Sequence, residues 1–277
     1  WVWLKQRNAS GSHALFDSVR GATKRLYSNL TNTEATQADS LTSFDSDGFS
    51  LGTAYPNSNS NTFVAWSWKA GGTAVSNTDG SITSSVSASP ESGFSIVTYT
   101  GTGANATVGH GLGKAPDMII LKKRANDTQA WQVYHSGNTS APETEKLTLN
   151  TDAATVDDHT TWNDTAPTST VFSIGTGSGT NENTDTYVAY CFADIDGMVK
   201  AGSYTGNGSS DGPFIYTGFR PAWVMIKRTD ATNQWVIFDA ARNTFNLAEA
   251  RLFANLSDAE SSGTISGLDL VSNGFQI

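Results

Sequence analysis

Trp1-Val-Trp-Leu-Lys5 at one end of the chain is answered by Trp223-Val-Met-Ile-Lys227 towards the other, and by Met118-Ile-Ile-Leu-Lys122 between them. Each is a short apolar run closing on lysine, flanked by polar turn residues, which is how a buried strand reads. The likeness continues outward from these runs. Leu15-Phe-Asp17 followed by Arg20 matches Ile237-Phe-Asp239 followed by Arg242, and Trp131-Gln-Val-Tyr134 stands where His13 to Phe16 stand. Leu26-Tyr-Ser-Asn29-Leu30 matches Leu252-Phe-Ala-Asn255-Leu256. Further on, Gly48-Phe49-Ser-Leu51, Phe172-Ser-Ile174 and Gly274-Phe275-Gln-Ile277 occupy one place.

The unit also has a recurring opening and close. Val97-Thr-Tyr99-Thr-Gly101 pairs with Gly202-Ser-Tyr204-Thr-Gly206, and Tyr187-Val-Ala-Tyr190 through Gly197 pairs with Phe63-Val-Ala-Trp66 through Gly72. A period of about 105 residues follows, of the kind expected from tandem units. Residues 1–72 read as a first unit entered part-way through, 73–92 as a connector, 93–197 as a second unit, and 198–277 as a third that stops part-way through. Both ends fall inside a unit, as in a stretch of a longer array.

Composition agrees with a strand-and-turn architecture. Of 277 residues, 38% are hydrophobic and only 16% charged, below the roughly 25% charged of ordinary soluble domains; Ser, Thr, Asn and Gly fill the difference. Coiled coils and helical bundles are excluded, and 8 Trp, 8 Tyr and 13 Phe supply enough buried area to exclude disorder. Short strands with turn clusters between them, and no helices long enough for crossovers, imply antiparallel pairing. The expected fold is all-β: tandem antiparallel β-sandwich repeats of jelly-roll or lectin-like character. Weak helical signal is confined to Ala22–Leu30 and its counterpart Leu247–Asn255. In Tyr187-Val-Ala-Tyr-Cys-Phe-Ala193 the bulky residues Tyr187, Val188, Tyr190 and Phe192 read as one face.

Charge and motifs narrow the function. With 17 Lys and Arg against 26 Asp and Glu, the chain carries a net charge of −9 and has no basic field for nucleic acid or anionic membranes. No apolar run reaches the length that spans a bilayer. The single Cys191 excludes internal disulfides and cysteine-based zinc clusters. Asp45-Ser-Asp47-Gly48 resembles half a calcium loop, but its counterpart Val271-Ser-Asn273-Gly274 loses the carboxylates, so a turn is the better reading and no metal is expected. His110-Gly-Leu-Gly113 lacks the rest of a phosphate-binding pattern and reads as a turn. Trp1, Trp66, Trp131, Trp223 and Trp235 lie at repeat-matched strand positions and read as core. Trp162 and Tyr55 sit in loop-like surroundings, where an exposed ring could stack on a sugar, and are the candidate ligand-binding residues. Asp157-Asp158-His159 gathers acid and base groups in a polar loop.

The run from Gly93-Phe94-Ser-Ile-Val-Thr-Tyr-Thr-Gly101 through His110-Gly-Leu-Gly-Lys-Ala-Pro116 is similar to repeat domains of tailed-phage virion proteins of the marine-phage type. Gly202-Ser-Tyr-Thr-Gly-Asn-Gly-Ser209 and Gly218-Phe-Arg-Pro-Ala-Trp-Val-Met-Ile-Lys-Arg228 resemble the same family, so the likeness covers essentially the whole chain. It implies a structural, adhesive virion protein, part of a tail fibre or similar appendage outside the cell. Its implied partners are further copies in a homotrimer, other virion proteins and a host-surface glycan or protein. It brings no cofactor and no catalytic residues, so no enzyme is expected. Two alternatives stand beside it. One is a tail-borne polysaccharide depolymerase, which needs two facing carboxylates about 5–10 Å apart, with Asp157, Asp158 and Glu143 as candidates. The other is an extracellular filament or surface layer built from the same repeats.

Overall fold

The structure, a computed structural model, describes residues 1–263 and 267–277. The first unit contains β1 (Val2–Gln6), β2 (Ala14–Asp17), β3 (Gly21–Tyr27), β4 (Ala35–Thr36), β5 (Leu41–Phe44), β6 (Phe49–Leu51) and β7 (Phe63–Ser67). The middle unit contains β8 (Val75–Asn77), β9 (Ser84–Ser89), β10 (Phe94–Thr100), β11 (Ala106–Gly109), β12 (Met118–Lys123), β13 (Gln132–His135), β14 (Glu145–Thr148) and β15 (Val156–Asp157). It closes with the single-turn α1 (His159–Trp162), β16 (Val171–Ile174), the single-turn α2 (Ser178–Asn181) and β17 (Thr186–Phe192). The third unit contains β18 (Phe214–Tyr216), β19 (Trp223–Ile226), β20 (Val236–Asp239), β21 (Leu252–Phe253), β22 (Asp269–Val271) and β23 (Gly274–Gln276).

The pairings between these strands are antiparallel, and the molecule is an all-β protein of sandwich type. In the first unit a sheet ordered β4-β3-β2-β1-β7 faces the hairpin β5-β6; in the middle unit β15-β14-β13-β12-β17-β10-β9-β8 faces β11-β16. In the third, β19-β20-β21 faces β18-β23-β22. The strand triplets β1-β2-β3, β12-β13-β14 and β19-β20-β21 share one register: Val2 lies opposite Phe16, Ile119 opposite Tyr134, and Val224 opposite Phe238.

The central strands of the large sheets are buried on both faces, which explains why they read as continuous apolar runs. Side chains alternate across a strand. Val2 and Leu4 therefore enter the core shared with β5-β6, while Trp1 and Trp3 point the other way. Ile119 and Leu121 likewise face β11-β16, whereas Ile120 enters the opposite core. That second core is common to all three units, with Trp3, Trp66, Trp131, Tyr190, Trp235 and Ile237 within it. Trp1 stacks on Tyr190 with ring centroids 4.4 Å apart, and Trp68 meets Trp223 edge-on at 5.3 Å. Aromatic pairs of this kind add about 0.5–1.5 kcal/mol each beyond the area they bury.

The units form a closed cycle rather than a line. Glu34 N–H donates to the Arg124 carbonyl (2.8 Å), Thr155 N–H to Thr229 (2.9 Å), and Glu260 N–H to Arg7 (2.8 Å), so the first unit binds the middle, the middle the third, and the third the first. Matched lysines repeat the cycle: Lys122 Nζ reaches Thr31 O (2.9 Å), Lys227 Nζ reaches Asp152 O (3.2 Å) and Lys5 Nζ reaches Ser257 O (3.4 Å). Indoles add to it, with Trp131 Nε1 donating to Tyr27 O (2.9 Å) and Trp235 Nε1 to Thr148 O (3.0 Å). His13 takes the indole's place in the first unit. It accepts from Trp3 Nε1 at 2.7 Å and faces the Phe253 carbonyl, and burial pushes its pKa well down, so it stays neutral.

Several expectations change. Residues 73–92 are not a bare connector: β8 and β9 extend the middle sheet, and Ile82 and Val86 are buried in its core. Ala22–Leu30 and Leu247–Asn255 contain the strands β3 and β21, because a third strand on each triplet buries Leu26 and Leu252 in the common core, which outweighs weak local propensity. Tyr187 lies on the face opposite Val188 and Tyr190, since β17 is buried on both sides. The segment 202–206, matched to β10, is exposed and joins no ladder among the described residues. Gly93, which leads into β10, has φ +65°, and a Cβ there would lie 2.3 Å from the Ala193 carbonyl oxygen. Only glycine fits.

Candidate functional site

A polar cleft of about 140 Å³ lies in the middle unit, lined by Gln132, Lys146, Asp158, Thr160 and Ser178 among others. It lies where β13 and β14 meet the single-turn helices α1 and α2. Asp158 caps α1, accepting from Thr160 N–H at 3.0 Å and from Thr160 Oγ1 at 2.5 Å. Its other oxygen accepts from Lys146 Nζ at 2.5 Å. Burial pushes the Asp158 pKa up, but the bonds from Lys146 and Thr160 prevail and bring it down to about 2. Gln132 is buried, and its Oε1 has no hydrogen-bond partner. The cleft is thus lined by hydroxyls, amides and a paired ammonium, groups of the kind that meet a hydroxyl-rich ligand.

Asp158 is not poised as a general acid there. A general acid needs a pKa near the working pH, and Asp158 is ionised and already engaged on both oxygens. Neither Asp157 nor Glu143 lines the cleft; Asp157 lies on β15 opposite Glu145, and Glu143 sits in the 3-10 turn Pro142–Thr144. The sequence picked out Asp158 as part of an acid–base triplet. Its role as a helix cap was legible in Asp158-His-Thr160, since Asp is a preferred N-cap.

A second cluster was not foreseen. Asp127, Glu182 and Asp185 bring carboxylate oxygens within 4.8 Å of one another. The centre is filled by an ammonium: Lys123 Nζ lies 2.5 Å from Glu182 and 2.5 Å from Asp185, and also pairs with Asp127. Burial alone would lower the Lys123 pKa, yet hydrogen bonds to the three carboxylates raise it above the ordinary lysine value. Lys122-Lys123 precedes the loop that carries Asp127, but Glu182 and Asp185 come from the turn before β17. No linear pattern joins them.

The two candidate stacking aromatics are not free. Trp162 is 2% exposed and packs edge-on against Tyr134 at 5.9 Å, because α1 turns its ring under the sheet. Tyr55 is half-buried beside the first-unit core, its ring edge-on to Phe63 at 5.8 Å and its hydroxyl donating to the Ser12 carbonyl. Burial pushes its pKa up to about 12. Trp162 therefore presents no face to a sugar. Asp45 behaves as the turn reading requires, accepting from Ser43 and Ser50 hydroxyls at 2.8 Å each between β5 and β6. His110-Gly-Leu-Gly113 is likewise a turn: Gly111 and Gly113 have φ of +71° and +70°, and His110 Nδ1 accepts from Leu112 N–H.

A second pair of charge clusters belongs to the seams between units. Asp17 holds Arg20 and accepts from Tyr190 Oη (2.8 Å); Asp239 holds Arg242 (2.5 Å) and accepts from Trp66 Nε1 (3.0 Å). Each arginine extends to a glutamate, Arg20 to Glu34 (3.0 Å) and Arg242 to Glu260 (3.1 Å). A further arginine from the next unit closes each group, Arg124 on Glu34 and Arg7 on Glu260. These buried, fully paired groups are structural.

The family described as Domain of unknown function (DUF7483) matches residues 1–277. The chain belongs to that family. One family description therefore runs through all three units. No curated protein matches the chain, and no solved structure does.

Proposed function

We propose that this DUF7483 chain is a structural and adhesive virion protein, part of a phage tail fibre or similar appendage that contacts the host surface. The observation that carries the reading is the closed cycle of three β units on one shared aromatic core. Rigidity and a hydroxyl-rich, weakly charged exterior serve a particle component outside the cell. The resemblance of the Gly93–Pro116 run to phage repeat domains points the same way. Self-association, contact with other virion proteins and recognition of a host-surface glycan or protein belong to the same proposal. The net charge of −9 argues against nucleic acid as a partner, and no helix among the described residues is long and apolar enough to cross a membrane.

The cleft beside Asp158 favours binding over turnover, since it presents a single, neutralised carboxylate. The depolymerase alternative gains no support there. The test is to mix purified protein with host-surface polysaccharide and follow both retention and reducing-end release. Retention without release is the expected result. Release that disappears in Asp158→Asn would overturn the reading in favour of a hydrolase.

A further inference from the structure

The three seams are built alike except at one side chain. Trp131 and Trp235 each send an indole N–H across a seam, to the Tyr27 and Thr148 carbonyls at 2.9 and 3.0 Å. The matched position in the first unit is His13, and the carbonyl it faces belongs to Phe253 of the third unit, the counterpart of Tyr27. An indole gains no proton near neutral pH, whereas an imidazole does.

The surroundings of His13 leave no place for that proton. The ring is fully buried. Its Nδ1 accepts from Trp3 Nε1 at 2.7 Å, so the neutral ring carries its proton on Nε2, which faces the Phe253 carbonyl without completing a full hydrogen bond. A second proton can go only to Nδ1. Two N–H groups would then point at each other, because an indole N–H donates and never accepts. The charges nearby add to the penalty, since Lys5 on β1 and Arg242 after β20 both lower the proton affinity of the ring. The carboxylates of this seam are engaged elsewhere: Asp239 and Glu260 bind Arg242, Glu260 also binds Arg7, and Asp258 faces Lys5. Trp3 and Asn29, the side chains bonded to His13, carry no charge.

We infer that His13 makes the seam between the third and first units a pH-sensitive joint, which opens on mild acidification while the two indole seams stay closed. The bonds that would part are Gly11 N–H to Ser257 O (2.7 Å), Glu260 N–H to Arg7 O (2.8 Å) and Ser28 Oγ to Ala254 O (2.6 Å). Parting them separates His13 from Phe253 and admits water to the ring. The folded ring is neutral and the opened ring titrates near the ordinary value of 6.5, so below that value the open form binds more protons and gains population as pH falls. One proton per opening raises the opening constant about tenfold per pH unit below 6.5, or about twenty-fivefold in all from pH 7 to 5. His110 and His135 are also held below the ordinary value by burial, but both lie in the middle unit and take no part in this opening. The inference stands on the seam and is independent of the adhesive reading.

Hydrogen exchange of the 277-residue chain, followed amide by amide by NMR at pH 7, 6 and 5 and corrected for intrinsic rates, tests it. The Gly11 and Glu260 amides should lose about twenty-fivefold in protection, while Glu34 and Thr155, which close the other two seams, should hold theirs within about twofold. His13→Gln keeps an oxygen for Trp3 and an N–H for Phe253 but cannot titrate, and should abolish the loss. His13→Trp, the residue of the other two seams, is the second variant should glutamine pack poorly. Unchanged protection at Gly11 and Glu260 would overturn the inference. So would an equal loss at all three seams, which is global unfolding, or a loss that persists in the variants, which would place the proton on another group.

Discussion

β17 and β7 have nearly the same sequence and opposite circumstances. Tyr187, Ala189 and Cys191 are fully buried under β11-β16, while the matching Ala65 and Ser67 are exposed and Phe63 is half-buried. The other faces agree: Val188 and Tyr190, like Val64 and Trp66, enter the common core. A strand pattern therefore states which side chains share a face, but the number of layers over that face depends on which other strands arrive. Where β10 and β11 are present, both faces are core. Where no such strands lie over β7, one face stays open.

The largest effects should come from breaking the better-covered strand. Tyr187→Ala removes a buried ring stacked on Tyr99 whose hydroxyl also donates to Ser178 O and accepts from Glu182 N–H. A loss of about 3–5 kcal/mol is expected from the cavity and the broken bonds, and Phe63→Ala should cost about 1 kcal/mol. Urea unfolding midpoints of the two variants check the ratio; equal losses would mean that β7 is covered like β17.

Backbone substitutions sharpen the same contrast. Ala193 N–H donates to Gly93 and Gly101 N–H to Asp185, so alternation directs the Ala189 amide into the ladder with β10. Ala189→Pro should destabilise by about 3 kcal/mol, from a lost central ladder bond and a clash within a packed sheet. Ala65→Pro should stay within about 1 kcal/mol, because among the described residues its amide joins no ladder. Thermal melts of both variants read the difference.

The seams, in contrast with both strands, respond to pH. Burial lowers the Lys5 and Lys122 pKa values to about 8, with nearby carboxylates only partly compensating. Between about pH 8 and the ordinary value of 10.5, the unfolded chain binds more protons than the folded one at these two positions. Stability from these groups therefore rises with pH across that window. A gain on the order of 1 kcal/mol per lysine is expected between pH 8 and 9.5, and Lys5→Met with Lys122→Met should flatten it. Denaturant titrations at the two pH values measure the slope.

Much of the fold was legible because burial on both faces leaves a plain mark. Three apolar runs ending in lysine marked strands that recur along the chain, and the Asp–Arg spacing after two of them recurs too, but that these residues meet at seams between units was not legible. The candidate sites were less legible. Trp162 and Tyr55 sit among polar neighbours, yet whether a ring is exposed depends on what folds over it, and α1 and the Ser12 carbonyl decide that from elsewhere in the chain. Lys123 meets Glu182 and Asp185 only because β12 and β17 pair.

Composition and spacing alone thus determined an all-β chain, its strand triplets, its turns and its lack of a basic surface, since each depends on near neighbours and on alternation along the strand. Tertiary structure alone decided that the units close on themselves. The Lys5, Lys122 and Lys227 side chains bond carbonyls in another unit, and the Glu34, Thr155 and Glu260 amides bond another unit's backbone. Such contacts carry little residue code, because any residue supplies a carbonyl and nearly any supplies an amide. A linear array and a closed cycle are therefore written in the same sequence pattern, and the contacts between units decide for the cycle.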